Sequence, residues 1–187
     1  MNKHILVAAA ALVLSGAASA QGYLAASVGS SRLTADCTGT SSCDNTDVGF
    51  KLLGGYKFMP NLAAELAYFN FGKATASAGN VNAEVKNTAV GVGIALHGDL
   101  APNWPAVARL GAAQVKTKLS GSVAGLGSAS VSDNNISLYG GLGIGYRLAK
   151  DVSLDGAWDF SRSKYDVNGV SDSGSLNMIS IGMTFWF

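Results

Sequence analysis

From Ile179 to Phe187 every odd position is large and apolar, while Ser180, Gly182 and Thr184 between them are small or polar. That period of two belongs to a β-strand with two unlike faces. The stretch Leu176 to Phe187 reaches the ~9–11 residues that a tilted strand needs to cross a bilayer, and Phe185, Trp186 and Phe187 gather at its end. Beyond the N-terminal segment no apolar run is long enough for a spanning helix, although mean hydropathy is positive at +0.25. A membrane protein with that property has to be a closed barrel.

The two-faced pattern recurs. Eight alternating segments are expected: Gly22 to Ser31, Thr46 to Phe58, Leu62 to Phe71, Asn87 to Leu100, Trp104 to Lys118, Asn135 to Leu148, Val152 to Ser161 and Leu176 to Phe187. In the second, Val48, Phe50, Leu52, Tyr56 and Phe58 oppose Gly49, Lys51, Gly55 and Lys57; in the sixth, Leu138, Leu142, Ile144, Tyr146 and Leu148 oppose Ser137, Gly141, Gly143, Gly145 and Arg147. The first and fifth segments are thinner, with Ala106, Ala108, Leu110 and Ala112 beside Arg109. Breaks at Met59-Pro60-Asn61, Ala101-Pro102-Asn103 and Ala149-Lys150-Asp151 are tight, whereas Arg32 to Asn45, Gly72 to Lys86, Leu119 to Asn134 and Arg162 to Ser175 read as long polar loops without a binding motif. Short and long connections thus fall at opposite ends, the outer-membrane arrangement of periplasmic turns and extracellular loops.

A soluble ligand-carrying barrel reverses the faces, apolar inside and polar outside, and alternation alone does not separate the two. Three observations favour the membrane form. The apolar rows recur on nearly every segment with aromatics near their ends, the opposite face is rich in glycine rather than in surface charge, and the last segment closes on aromatics.

Residues 1–20 carry Lys3 and His4, an apolar run from Ile5 to Leu14 and a small-residue ending, Ala18-Ser19-Ala20. This is the pattern of a cleaved signal peptide. Residues 21–187 then form one exported domain. Removing Lys3 from the 13 basic residues leaves 12 against 12 acidic, so no global field favours nucleic acid. In an exported chain the only two cysteines, Cys37 and Cys43, close together in a polar loop, are expected to form a disulfide. That loop has no histidine and no zinc spacing, so no metal is expected.

The run Gly140-Gly141-Leu142-Gly143-Ile144-Gly145 is not a nucleotide loop, because no helix pattern follows it. Its glycines are expected to clear room for long side chains in an interior that eight strands leave only wide enough to be filled. His97 is the only histidine after the leader; a polar group at the barrel base is preferred to a catalytic base. No catalytic residue and no cofactor site is expected.

The chain resembles the small eight-stranded barrels of the OmpA-like transmembrane family, OmpX-type proteins included. The resemblance spans the whole chain after the leader and rests on Gly22-Tyr23-Leu24-Ala25-Ala26-Ser27-Val28-Gly29, Leu62-Ala63-Ala64-Glu65-Leu66-Ala67-Tyr68-Phe69, Arg109-Leu110-Gly111, Gly140 to Tyr146 and the terminal Phe187. It implies an all-β, eight-stranded antiparallel up-and-down barrel in the outer membrane, in contact with outer-membrane lipid and lipopolysaccharide. Phe185 and Phe187 would be the signal read by the barrel-assembly machinery. No counterpart of the periplasmic peptidoglycan-binding domain that OmpA itself carries is expected here, and no wall-anchoring role with it.

Lys51, Glu65, Arg109, Arg147, Asp155 and Asp159 share the non-lipid parity. Buried charges are costly unless paired, so these six are expected to meet as one lumen plug. Glu65 should reach Arg109 over Gly93 and Ala95, and Asp155 should lie within reach of Arg147. The functional expectation is a monomeric barrel with a structural role or a loop-mediated surface role toward an extracellular ligand of unknown identity. A narrow, porin-like channel is the alternative, and a lipid A-modifying enzyme the third reading.

Overall fold

The computed structural model describes residues 21–33, 42–78, 81–123, 127–167 and 170–187. The expected signal peptide and Cys37, and with it the Cys37–Cys43 disulfide, lie outside the described residues. Those described form nine strands: β1 Gly22–Leu33, β2 Ser42–Asp44, β3 Thr46–Met59, β4 Leu62–Ala78, β5 Val81–Ala101, β6 Trp104–Val123, β7 Gly127–Ala149, β8 Val152–Val167 and β9 Val170–Trp186. All pairings are antiparallel.

Eight of them close in sequence order, with β1 pairing β9 from Tyr23↔Trp186 to Leu33↔Leu176 and so abolishing both sheet edges. At the seam Gly22 and Phe187 exchange two backbone hydrogen bonds of 3.0 Å each. The short β2 pairs with β4 beyond the point where β3 leaves it, from Ser42↔Ser77 to Asp44↔Thr75.

The three tight breaks are two-residue turns between paired ends, Met59↔Leu62, Ala101↔Trp104 and Ala149↔Val152. Asn103 takes a positive φ of 68°, a conformation asparagine tolerates better than most residues. A ring of equivalent bonds stitches this end: carbonyls of Gln21, Asn61, Asn103 and Asp151 accept from the amides of Lys57, His97, Arg147 and Trp186 at 2.7–2.9 Å.

The opposite end departs from expectation. Segments expected to be polar loops are largely paired strand, so that β5, β6 and β7 run 21, 20 and 23 residues. That is about twice what a membrane crossing needs, and the surplus rises from the barrel as long hairpins. One irregularity shapes it: between Asn70 and Lys73 the β4–β5 register shifts at Gly72, which has φ +70°. Asn70 Oδ1 accepts from the Gly72 amide at 3.0 Å, and Asp47 Oδ2 from the Lys73 amide at 2.8 Å. A Cβ at position 72 would lie 2.7 Å from that Asp47 oxygen and 2.8 Å from the Val48 carbonyl, so this bulge requires glycine.

The faces settle the sense of the barrel. The large apolar rows point outward, among them Leu52, Leu66, Val92, Ile94, Leu142, Ile181 and Phe185. In the thin fifth row Leu110 is 66% exposed while Arg109 points inward. An outer surface of this kind is stable against lipid and not against water.

Candidate functional site

Inside the barrel two ion pairs span the lumen. Glu65 of β4 receives Arg109 Nε of β6 at 3.0 and 3.1 Å, with 0% and 7% of the two side chains exposed. The register explains the meeting: Glu65 is opposite Gly93 and Arg109 opposite Ala95, so the intervening β5 presents almost no side-chain volume between them. Lys51 Nζ of β3 donates to Asp159 Oδ2 of β8, both side chains almost wholly buried. Asp159 fits because it lies opposite Gly141, where a Cβ would stand 2.5 Å from its Oδ1. Gly145 makes similar room for Asp155.

A residue that the sequence reading did not single out joins the acid to the barrel base. Tyr23 of β1 donates its hydroxyl to Glu65 Oε1 at 2.5 Å and lies 3.0 Å from His97 Nε2. Its ring packs on Trp186 with centroids 4.7 Å apart, and His97 meets both rings edge-on at 5.1 and 5.4 Å. Lys57 Nζ caps the Trp186 ring at 4.1 Å. Parity was the available signal, since Leu24, Ala26 and Val28 facing lipid force Tyr23 inward.

Arg147 stands apart from the expected network. It pairs with Asp99 at 2.7 Å, with 40% and 52% of the two side chains exposed. A register shift follows it immediately, between Arg147 and Ala149, and so close to a turn the guanidinium is paired in water at little desolvation cost. Asp155, expected beside it, instead accepts from Ser153 Oγ at 2.9 Å and Thr184 Oγ1 at 2.6 Å. The six charges therefore form two buried pairs, one rim pair with Asp99, and a carboxylate held by hydroxyls.

Toward the long hairpins the lumen turns apolar, which the reading of this face as small or charged did not anticipate. Phe69 and Phe71 stack at 5.5 Å, Tyr139 meets Phe69 edge-on at 5.4 Å, and Val115, Leu176 and Met178 complete a buried layer. Tyr139 lies against Gly91, Gly93 and Gly111, where a Cβ would stand 2.8, 2.6 and 2.5 Å from its ring or hydroxyl. A cavity of about 30 Å³ lies between the charged layer and the turns, lined by residues that include Tyr23, Lys51, His97, Arg109 and Asp155. That holds about one or two waters. Among the described residues no serine hydroxyl lies within hydrogen-bond distance of His97.

The OmpA-like transmembrane domain model matches residues 17–187. No curated protein sequence matches the chain. Among solved structures, the attachment invasion locus protein Ail of Yersinia pestis superposes with a TM-score of 0.55 at 16% identity, over 89% of this chain and 99% of that one. The Neisserial surface protein A gives 0.57 at 16%, over 89% and 97%, and the outer membrane protein OprG of Pseudomonas aeruginosa 0.52 at 15%, over 90% and 96%. At such identities the likeness is one of fold.

Proposed function

The chain belongs to the OmpA-like transmembrane domain family and is an outer-membrane β-barrel, and from that premise we propose that it works as a closed, non-enzymatic scaffold displaying its long hairpins outside the cell. One observation carries the reading: the lumen is occupied at two successive levels, first by the Glu65–Arg109 and Lys51–Asp159 pairs, then by the Phe69, Phe71 and Tyr139 layer. Space for one or two waters is no path for hydrated ions. His97, held by a tyrosine hydroxyl and two aromatic rings, has no nucleophile to activate among the described residues. Surface display is also in keeping with relatives of this shape that are named for attachment and for the cell surface.

In this reading residues 1–20 direct export and are removed, the tight turns lie in the periplasm, and the barrel is monomeric. The test is planar-bilayer recording with the intact protein, checked for folding by heat-modifiable gel mobility. No steady conductance is expected; stable single-channel currents would replace this reading with the narrow pore. An altered lipid A mass on expression would replace it with the enzyme.

A further inference from the structure

Above the apolar belt the register sets lysines side by side. Lys73 of β4 pairs with Lys86 of β5, and Lys86 with Lys118 of β6; Lys116 stands two residues closer to the belt, opposite Thr88. All four are exposed. Lys73 faces outward because of the Gly72 bulge: Phe69 and Phe71 point into the lumen, and without the register shift position 73 would follow them.

Directly opposed like charges destabilise a sheet, and here three neighbouring strands each contribute one at the same level. Glu84, two residues from Lys86 on β5, pairs with Lys73 at 3.3 Å; among the described residues Lys86, Lys116 and Lys118 make no ion pair. The height of the row is equally specific. Outward apolar residues end at Val90 on β5, at Ala112 on β6 and at Ile136 on β7, and are followed by Thr88, Gln114 and Asn134. Lys116 and Lys86 come two to four residues above that edge, which is ~7–13 Å along a strand and about 5–10 Å of height after a ~40° tilt. That is headgroup depth.

We propose that this lysine row binds the phosphate groups of lipopolysaccharide in the outer leaflet. The chemistry matches: ammonium groups are point-charge partners for phosphate, and a multiply phosphorylated headgroup lying along the row relieves the repulsion between the lysines. The inference rests on the hairpins facing outward.

The experiment uses the full barrel in detergent micelles, with fluorescent bisphosphorylated lipid A and its dephosphorylated form as probes. A K86Q/K118Q variant should bind bisphosphorylated lipid A about 25-fold more weakly, at about five-fold per charge removed. Dephosphorylated lipid should bind wild type no better than it binds the variant, and Lys150→Gln, at the far turn, should change nothing. Equal binding of bisphosphorylated lipid A by wild type and K86Q/K118Q overturns the proposal, as does equal binding of the two lipids or displacement by equimolar inorganic phosphate. Binding in micelles does not depend on which end faces outward. Orientation is read separately by labelling Ser122→Cys, an exposed position beyond the row on β6, on intact cells with a membrane-impermeant maleimide, against the unsubstituted chain; added label with unchanged lipid A binding by K86Q/K118Q refutes the site alone, and no added label refutes the orientation.

Discussion

Glu65→Leu is the sharpest test of how the lumen is held. Glu65 accepts one bond from Tyr23 and two from Arg109, all within a buried site. Three charge-assisted bonds at ~1.5–3 kcal/mol each would sum to as much as ~9 kcal/mol, but that overstates the loss. Tyr23 keeps His97 as a neighbour, and the three bonds share one carboxylate. What remains is a guanidinium buried without its counter-charge, which costs ~3–5 kcal/mol. The companion Arg109→Met removes the charge while keeping most of the volume, so Glu65→Leu/Arg109→Met should return to within ~1–2 kcal/mol of wild type, because replacing a whole buried pair by apolar residues is often neutral. Urea unfolding from lipid vesicles, followed by the fluorescence of Trp104, Trp158 and Trp186, measures all three variants. If Glu65→Leu stayed within 1 kcal/mol of wild type, or the double variant lost the sum of the two single losses, the pair would not be the buried, coupled unit described here.

Gly72→Ala should cost ~1–3 kcal/mol, since it combines a positive φ with contacts on Asp47 and the Val48 carbonyl; the same urea assay checks it. Ile94→Arg, in the middle of an outward apolar row, should cost ~2–4 kcal/mol in vesicles, whereas Thr75→Arg on the outward face of the hairpins should be near neutral by the same unfolding measurement. Phe187→Ala should lower the yield of heat-modifiable barrel in cells, yet leave refolding of the purified chain into vesicles nearly unchanged. Equal losses in cells and in vesicles would make the residue a packing element rather than an assembly signal.

The lipid-facing rows were legible because each outward position repeats one physical demand, an apolar side chain every second residue, and Leu138, Leu142 and Ile144 obey it as plainly as Ile179, Ile181 and Phe185 do. The approach of Glu65 and Arg109 was legible too, since counting from two tight turns gives height and the small residues of β5 give clearance. Arg147 was not, because counting does not say where a chain near the water line will find its cheapest partner. Phe69 and Phe71 share parity with Glu65, and Leu176 and Met178 with Ser180, so the apolar lumen layer lay in the alternation but was hidden by stronger rows beside it. The long hairpins left no trace of alternation. Above the membrane both faces of a strand meet water, and Ser-, Gly- and Asn-rich segments need no apolar row to pair there through their backbone bonds.

The seam between β1 and β9 sets the timing of assembly. Residues 22–33 find one of their two partners in residues 46–56, but the other lies at 176–186, at the far end of the sequence. Until β9 is in place β1 keeps an open edge, and a partly paired intermediate is a sheet that can add strands from another molecule. Closing so distant a pair also carries a large loop entropy before any contact rewards it. The barrel is therefore an all-or-nothing object whose weakest moment is the interval before its last strand arrives, and protection during that interval is a requirement imposed by topology rather than by any single residue.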